Sequence, residues 1–318
     1  MSSIVFLDEA SLDFGDLDMR GLHLPGLSYV KYPGTRPEQV LERLQGATVA
    51  IVNKVVLTAD TIRALPDLKL ILVSATGTNN VDLQAAQARG IPVCNCQGYG
   101  TPAVAQHTLM LMLVLATRFT WYQADIAEGR WQKSSTFCLA DYPMGELAGK
   151  TLGIIGYGEL GQAVAHLAKA FGMKVLVAAR PGTEATDGRI ELDALLPQVD
   201  FLTLHCPLTD ATRNLMDARR LGLMKTRAML VNTARGGIVN EQDLHQAVKH
   251  GIIAAAATDV LSVEPPREGN ILLDEPLDNL IVTPHNAWAT VESRQRMVTQ
   301  LKDNLRGWQQ GQLVRRVV

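Results

Sequence analysis

The sequence predicts an α/β chain built as two doubly wound parallel-sheet domains. Short apolar runs alternate with stretches of helical periodicity along nearly all of its 318 residues, the pattern of strands wrapped by helices. One run, Leu152 to Ile155, leads directly into Gly156-Tyr-Gly158-Glu-Leu-Gly161 and a helical stretch. Polar residues capable of chemistry follow several other runs, at the sheet edge where open α/β folds bind their ligands.

The first domain is expected over residues 1–98. Strands are read at 4–7, 28–32, 47–53, 68–74 and from 91 to 94, the second being the weakest. Thr58 is placed to cap a short helix to Leu65, and residues 82–89 read as a helix stopped by Gly90. From Thr101 to about Glu128 the pattern is one long helix, apolar nearly all round, which requires burial on most sides. Residues 129–149 are irregular and carry Trp131, Phe137 and Tyr142, the marks of an arm or interface segment.

The second unit begins at Thr151. Gly156 permits the tight turn, Gly158 lets backbone approach a pyrophosphate, and Gly161 lets the helix pack on the strand with its amides aimed at the anion. By itself GxGxxG is a weak signal. Here a strand precedes it, a helix follows, and a second strand at 174–178 completes a βαβ unit, so the reading is a Rossmann dinucleotide-binding domain. Further strands are expected at 199–205, 228–232, 252–259 and 280–283, with helices at 192–196 and 241–249. The last helix, 291–309, is expected to return to the first domain. The predicted division is therefore 1–98 with 286–318, and 99–285 including the segment 101–149.

Composition narrows the class. The chain is 47% hydrophobic and 19% charged with a formal net charge of −2, which suits a soluble globular protein and offers no general attraction to nucleic acid or anionic membrane. Cys94, Cys96, Cys138 and Cys206 form no disulfide framework, and CxC with no second ligand pair points to structural thiols and no metal site. The start lacks a basic, apolar leader, and a cytoplasmic enzyme is expected.

At the expected strand ends stand Arg235, Asp259 with Glu264 soon after, and His285. Together with ATGTNNVD (75–82), GYGTPAVAQHT (98–108), HCPLT (205–209), VNTARGGIVNEQDL (231–244), ATDVLSVEP (257–265) and TPHNAWAT (283–290), the chain resembles the D-isomer-specific 2-hydroxyacid dehydrogenases over nearly its whole length. It looks most like their glycerate dehydrogenase, or hydroxypyruvate reductase, branch. The resemblance implies a flavodoxin-like substrate domain beside the Rossmann domain, a cleft between them, and a homodimer.

It also implies roles. Reduction of a 2-oxo acid places a hydride on C2 and a proton on its oxygen. His285 would donate that proton, a task suited to imidazole because its ordinary pKa of about 6.5 lies near working pH. Glu264 would hold the other ring nitrogen. Arg235 would grip the substrate carboxylate and polarise the carbonyl with a planar, two-pronged guanidinium. The backbone amides of Ala75, Thr76 and Gly77 would cradle the carboxylate. Thr101, Gly156, Gly158, Glu159, Leu160, Gly161, Ala179, Arg180, Pro207, Thr233, Arg235, Asp259 and His285 would line the cofactor. Taken singly, a histidine after proline, an arginine beside glycines or a glutamate before prolines is usually structural or solvated; their order and shared sheet edge reverse that reading. His107 and His205 read as satisfied core or near-site histidines, and His23, His166, His245 and His250 as surface or helix residues.

The cofactor has its own signal. An NAD-specific fingerprint ends its second strand with an acid for the ribose 2′-hydroxyl. Here the strand ends in Ala179 and Arg180. Arginine attracts a 2′-phosphate that an acid would repel, so NADP is expected, with NAD as the alternative. Hydroxypyruvate and glyoxylate are the expected substrates; a phosphoglycerate dehydrogenase-like or broad 2-keto acid reductase is the nearer alternative, and a nucleotide-sensing corepressor the remote one.

Overall fold

The computed structural model describes residues 3–180 and 188–318, which form two compact units, Met1–Gly100 with Ala289–Val318, and Thr101–Trp288.

The first unit is a parallel sheet of β1 (Ser3–Phe6), β2 (Ser28–Lys31), β3 (Ala47–Val52), β4 (Leu70–Val73) and β5 (Val93–Cys94), in the order β2-β1-β3-β4-β5. β3 and β4 are buried along their whole length, as parallel strands covered on both faces must be, whereas β2 is mostly exposed at the sheet edge, which accounts for its weaker apolar signal. Between strands run α1 (Val40–Arg43), α2 (Ala59–Arg63) and α3 (Leu83–Ala88). Thr58 caps α2 by accepting from the Thr61 amide, and Asp82 caps α3 from the Ala85 amide.

The second unit opens with α4 (Thr101–Thr117) and α5 (Phe119–Ala127). The long helix expected here is broken. Arg118 is left-handed with φ 55°, and the Ala116 carbonyl accepts from the Gly145 amide at 2.8 Å, so the returning arm ends α4. The axes of α4 and α5 differ by 62°. Among the described residues no single helix is long and apolar enough to cross a membrane. In the arm that follows, Trp131 and Phe137 are exposed.

The sheet of this unit comprises β6 (Thr151–Ile155), β7 (Lys174–Val177), β8 (Phe201–Leu204), β9 (Met229–Asn232), β10 (Ala255–Thr258) and β11 (Leu280–Val282), all parallel, in the order β11-β10-β9-β8-β6-β7. Beyond β7 a single parallel bridge joins Ala178 to Ile190. α6 (Glu159–Ala170) packs with α4 on one face, where Leu111, Met112 and Leu115 meet Val164, Ala165 and Ala168. That packing buries two sides of α4, against sheet and helix, while Leu109, Leu113 and Val114 are half-buried and Met110 is exposed. The other face is covered by α7 (Leu192–Leu195), α8 (Ala218–Leu221) and α9 (Glu241–Lys249). After the short α10 (Ile271–Asp274), the chain rejoins the first unit as α11 (Val291–Gln309). The chain reverses direction across the sheet between β7 and β8, so the switch point lies where β6 and β8 adjoin.

Candidate active site

The glycine turn sits at that switch point. Gly156 has φ 91°, and a Cβ there would stand 2.6 Å from the backbone of His205 and Cys206 at the end of β8. A Cβ on Gly161 would stand 2.1 Å from the Gly156 carbonyl oxygen, so only glycine lets α6 lie this close to its strand. Gly158 is different: a Cβ there would meet nothing within 4 Å. As the N-cap of α6 it supplies no side-chain acceptor, so the open space faces the unpaired amides of the helix start. These features fit the anionic linkage of a dinucleotide. Thr101 and Glu159, each expected to line the cofactor, are joined by a 2.7 Å hydrogen bond in which Thr101 donates. Leu160 is half-buried beside them and Pro207 is exposed. Thr233 is buried and shares a 2.8 Å hydroxyl contact with Thr108 of α4. At the end of β7, Ala179 is buried, its amide donating to the Ile190 carbonyl at 2.7 Å, and Arg180 is exposed; residues 181–187 beyond it lie outside the described structure.

Three other strand ends converge. Arg235 follows β9 on a tight loop in which Asn232 accepts from the Ala234 amide and donates to the Arg235 carbonyl, both at 3.0 Å. The guanidinium is exposed and donates to the Ala234 carbonyl at 2.7 Å. The next residue, Gly236, packs directly on the loop that carries Glu264: a Cβ there would fall 1.8 Å from the Leu261 oxygen. Glu264 is held at both oxygens, Oε1 accepting from the Leu261 amide at 2.8 Å and Oε2 lying 2.5 Å from His285 Nδ1. His285 is a third exposed and left-handed, with φ 52°, a conformation that costs a non-glycine residue about 1 kcal/mol or more and persists only where its surroundings impose it. They do so here. The Asp259 carboxylate accepts from the Asn286 and Ala287 amides at 3.0 Å each and from the Thr283 hydroxyl at 2.5 Å, while Trp288 Nε1 donates to the His285 carbonyl at 3.0 Å.

Asp259 is 1% exposed, and both its oxygens serve the loop on either side of His285. His107 Nε2 reaches the same Thr283 hydroxyl at 3.1 Å and lies 3.7 Å from Asp259. Burial holds the His107 ring below the usual histidine range, with the Asp259 charge opposing. Sequence reasoning missed this Thr283–His107 link and the role of Gly236; the doubled glycine after Arg235 was the available signal.

In the first unit the segment after β4 carries the residues expected to meet the substrate carboxylate. The carbonyls of Ala75 and Thr76 are taken by the Cys96 amide (3.0 Å) and Asn95 Nδ2 (2.7 Å). No protein acceptor is found among the described residues for the amides of Ala75, Thr76 and Gly77, and Thr76 and Gly77 are exposed. Three successive amides therefore have no protein acceptor among the described residues, beside an exposed glycine.

Two histidine readings need correcting. His245 lies on α9 but is fully buried, its Nε2 3.0 Å from the Glu275 carbonyl, because it falls on the face that packs inward. His205 is not satisfied: both ring nitrogens are buried with no hydrogen-bond partner among the described residues, and burial pushes its pKa down to about 4. Cys94, Cys96 and Cys206 are buried, the Cys96 thiol being pushed up to about 12 by burial, and Cys138 is exposed.

Comparison with known proteins agrees with this architecture. Residues 109–287 match the family model of the D-isomer specific 2-hydroxyacid dehydrogenase, NAD binding domain. The chain is 48% identical over 309 residues to a glycerate dehydrogenase of Methylorubrum extorquens, covering 97% of this chain and 96% of that one. It is 38% identical over 314 residues to a hydroxypyruvate reductase of Blautia hydrogenotrophica, covering 97% of each. Among solved structures, an NADPH-dependent glyoxylate/hydroxypyruvate reductase from Sinorhizobium meliloti, in complex with citrate, superposes with a TM-score of 0.83 at 27% identity, covering 100% of this chain and 98% of that one. With two parallel sheets, a glycine turn fitted to a nicotinamide dinucleotide and these relatives, the chain belongs to the D-isomer-specific 2-hydroxyacid dehydrogenase family.

Proposed function

We propose that the protein reduces a small 2-oxo acid, hydroxypyruvate or glyoxylate, to D-glycerate or glycolate, with NADPH preferred to NADH. The reading rests on the Glu264–His285 pair, a carboxylate-oriented imidazole at a strand end of the dinucleotide-binding unit. The names of the relatives, glycerate dehydrogenase, hydroxypyruvate reductase and glyoxylate/hydroxypyruvate reductase, support the substrate class.

The bound nicotinamide supplies the hydride that C2 of the substrate receives. His285 gives a proton from Nε2 to the oxygen formed at C2, while Glu264 fixes the ring through Nδ1 and the Leu261 amide fixes Glu264. Arg235 meets the carboxylate and the carbonyl oxygen, and positive charge placed where negative charge develops lowers the barrier. The amides of Ala75, Thr76 and Gly77 hold the carboxylate. Asp259 acts as a positioning residue for the His285 loop. Arg180 at the end of β7, in place of an acid, supports NADPH. A homodimer in the cytoplasm, with exposed Trp131 and Phe137 in its arm, completes the proposal.

The test is a panel of hydroxypyruvate, glyoxylate, pyruvate and 3-phosphohydroxypyruvate, each with NADPH and NADH. The reading requires the highest kcat/KM for one of the first two with NADPH, and glycerate of D configuration as the product from hydroxypyruvate. A preference for 3-phosphohydroxypyruvate would favour the phosphoglycerate dehydrogenase alternative, and no turnover of any 2-oxo acid would favour a cofactor-sensing scaffold.

A further inference from the structure

The Glu264 loop is fastened from a helix that carries none of the residues proposed to meet substrate or cofactor. Glu241 is the first residue of α9, directly after the cap Asn240. Its carboxylate reaches the loop 262–270 at three points. Oε1 accepts from the Ser262 amide at 2.6 Å. Oε2 accepts from the Ser262 hydroxyl and from Asn270 Nδ2, each at 2.8 Å. Asn270 in turn caps α10 by accepting from the Leu272 amide at 3.0 Å. One half-buried side chain thus holds both ends of the segment that contains Glu264. It does so from a helix start, where the macrodipole favours a negative charge.

The peptide bonded to Glu241 is also the one that adjoins the donor to Glu264. A trans peptide points its carbonyl and its amide in opposite directions. In the Leu261–Ser262 peptide the amide is bonded to Glu241, and the carbonyl lies against Gly236, where a Cβ would fall 1.8 Å from its oxygen. Both edges of this peptide are therefore fixed. The amide of Leu261 itself donates to Glu264 Oε1 at 2.8 Å, and Glu264 Oε2 lies 2.5 Å from His285 Nδ1. The series Glu241, Ser262, Leu261, Glu264 and His285 lies within one compact unit, Thr101–Trp288.

Resting on the proposed function, we infer that Glu241 is a positioning residue: by fixing the Leu261–Ser262 peptide it holds Glu264 where its carboxylate orients His285. In this role it touches neither substrate nor cofactor. A carboxylate is the group required, because it accepts at both oxygens and donates at neither. A glutamine would turn an N–H toward either the Ser262 amide or Asn270 Nδ2, and a donor facing a donor releases the loop. A misplacement of about 1 Å among reacting groups can cost about 100-fold in rate. An anchor on this loop therefore acts on kcat without contact to the reacting atoms.

The test is steady-state reduction of hydroxypyruvate by wild type, Glu241→Gln, Glu264→Gln and the double variant, with Ser262→Ala as a milder cut that leaves α9 intact. Glu241→Gln should lower kcat about 10-fold, with KM for NADPH nearly unchanged. In the Glu264→Gln background the same substitution should have little further effect, because the carboxylate it positions is gone. Ser262→Ala removes one of the two bonds between Glu241 and Ser262. It should lower kcat about 3-fold and should likewise lose its effect beside Glu264→Gln. Unchanged kcat in Glu241→Gln would overturn the inference, as would a loss that multiplies in full with that of Glu264→Gln. If Glu241→Gln does not fold, Ser262→Ala decides by the same two criteria. Wild-type enzyme that reduces no 2-oxo acid would instead remove the functional reading beneath the inference, which keeps the two failures apart.

Discussion

Glu264 links His285 to the backbone, one carboxylate oxygen lying 2.5 Å from His285 Nδ1 and the other accepting from the Leu261 amide at 2.8 Å. The backbone bond fixes the acid and the acid fixes the ring, so the pair works as one unit. Glu264→Gln preserves shape but loses charge, and kcat/KM for hydroxypyruvate should fall about 10- to 100-fold. Because neither residue acts alone, Glu264→Gln combined with His285→Gln should be scarcely slower than His285→Gln by itself. Multiplying losses in the double variant would mean that the two side chains act independently.

Asp259 lends itself to a kinetic split. Its oxygens hold the Asn286 and Ala287 amides and the Thr283 hydroxyl. Asp259→Asn turns an amide donor toward backbone donors, so the His285 loop should lose its left-handed geometry and kcat should fall about 10-fold or more, with a small change in KM for NADPH. A rise in KM for NADPH with kcat preserved would instead assign Asp259 to cofactor contact.

Gly236 joins the Arg235 loop to the Glu264 loop. A methyl group there would overlap the Leu261 carbonyl, at 1.8 Å, and crowd the Ser262 amide, at 2.5 Å. Backbone cannot yield as a flexible side chain can. Gly236→Ala should therefore cost about 2 kcal/mol or more in stability and depress kcat/KM as the two loops part. An unchanged Tm and unchanged turnover would show that the loops separate freely.

Burial of His205 should make folding sensitive to acid. Its ring nitrogens are buried without partners and burial lowers its pKa to about 4. Above the ordinary histidine value of about 6.5 the ring is neutral in both folded and unfolded chains. As pH falls from there to about 4 the unfolded chain takes up a proton that the folded ring refuses. Stability therefore drops across that window, and the loss is complete below it. Between pH 7 and pH 5 the contribution is about 2 kcal/mol. Denaturant titrations at the two pH values should show a smaller drop for His205→Gln than for wild type; identical drops would assign the acid sensitivity to other groups.

Arg180 tests cofactor choice. Wild type should favour NADPH in kcat/KM, and Arg180→Ala should lower the NADPH-to-NADH ratio about 10-fold, since a charge-assisted contact to the 2′-phosphate is lost. A wild-type preference for NADH would contradict the assignment.

Much of this was legible in sequence because the informative signals are local. Parallel strands buried on both faces read as apolar runs, and β3, β4 and α11 fall where those runs and caps place them. The turn at 156–161 needs glycine for reasons of distance, which the GxGxxG pattern carries. What stayed hidden depends on contacts between segments far apart in sequence. The break at Arg118 is set by Gly145 returning to the end of α4, and no breaker residue marks it. His245 looked like a surface residue because its neighbours on α9 are polar, yet it falls on the buried face. The hold of Glu241 on Ser262 joins a helix start to a loop 21 residues away, and nothing in the local sequence marks either residue for it.

The most direct measurement is the single-turnover reduction of hydroxypyruvate by NADPH in wild type and His285→Gln, both saturated with substrate. Wild type should oxidise the cofactor stoichiometrically to yield D-glycerate, and the variant, deprived of its proton donor, should be slower by about 10²- to 10⁴-fold. Reduction at the wild-type rate in the variant, or none in the wild type, would contradict the assignment of His285 as the acid of a 2-oxo acid reductase.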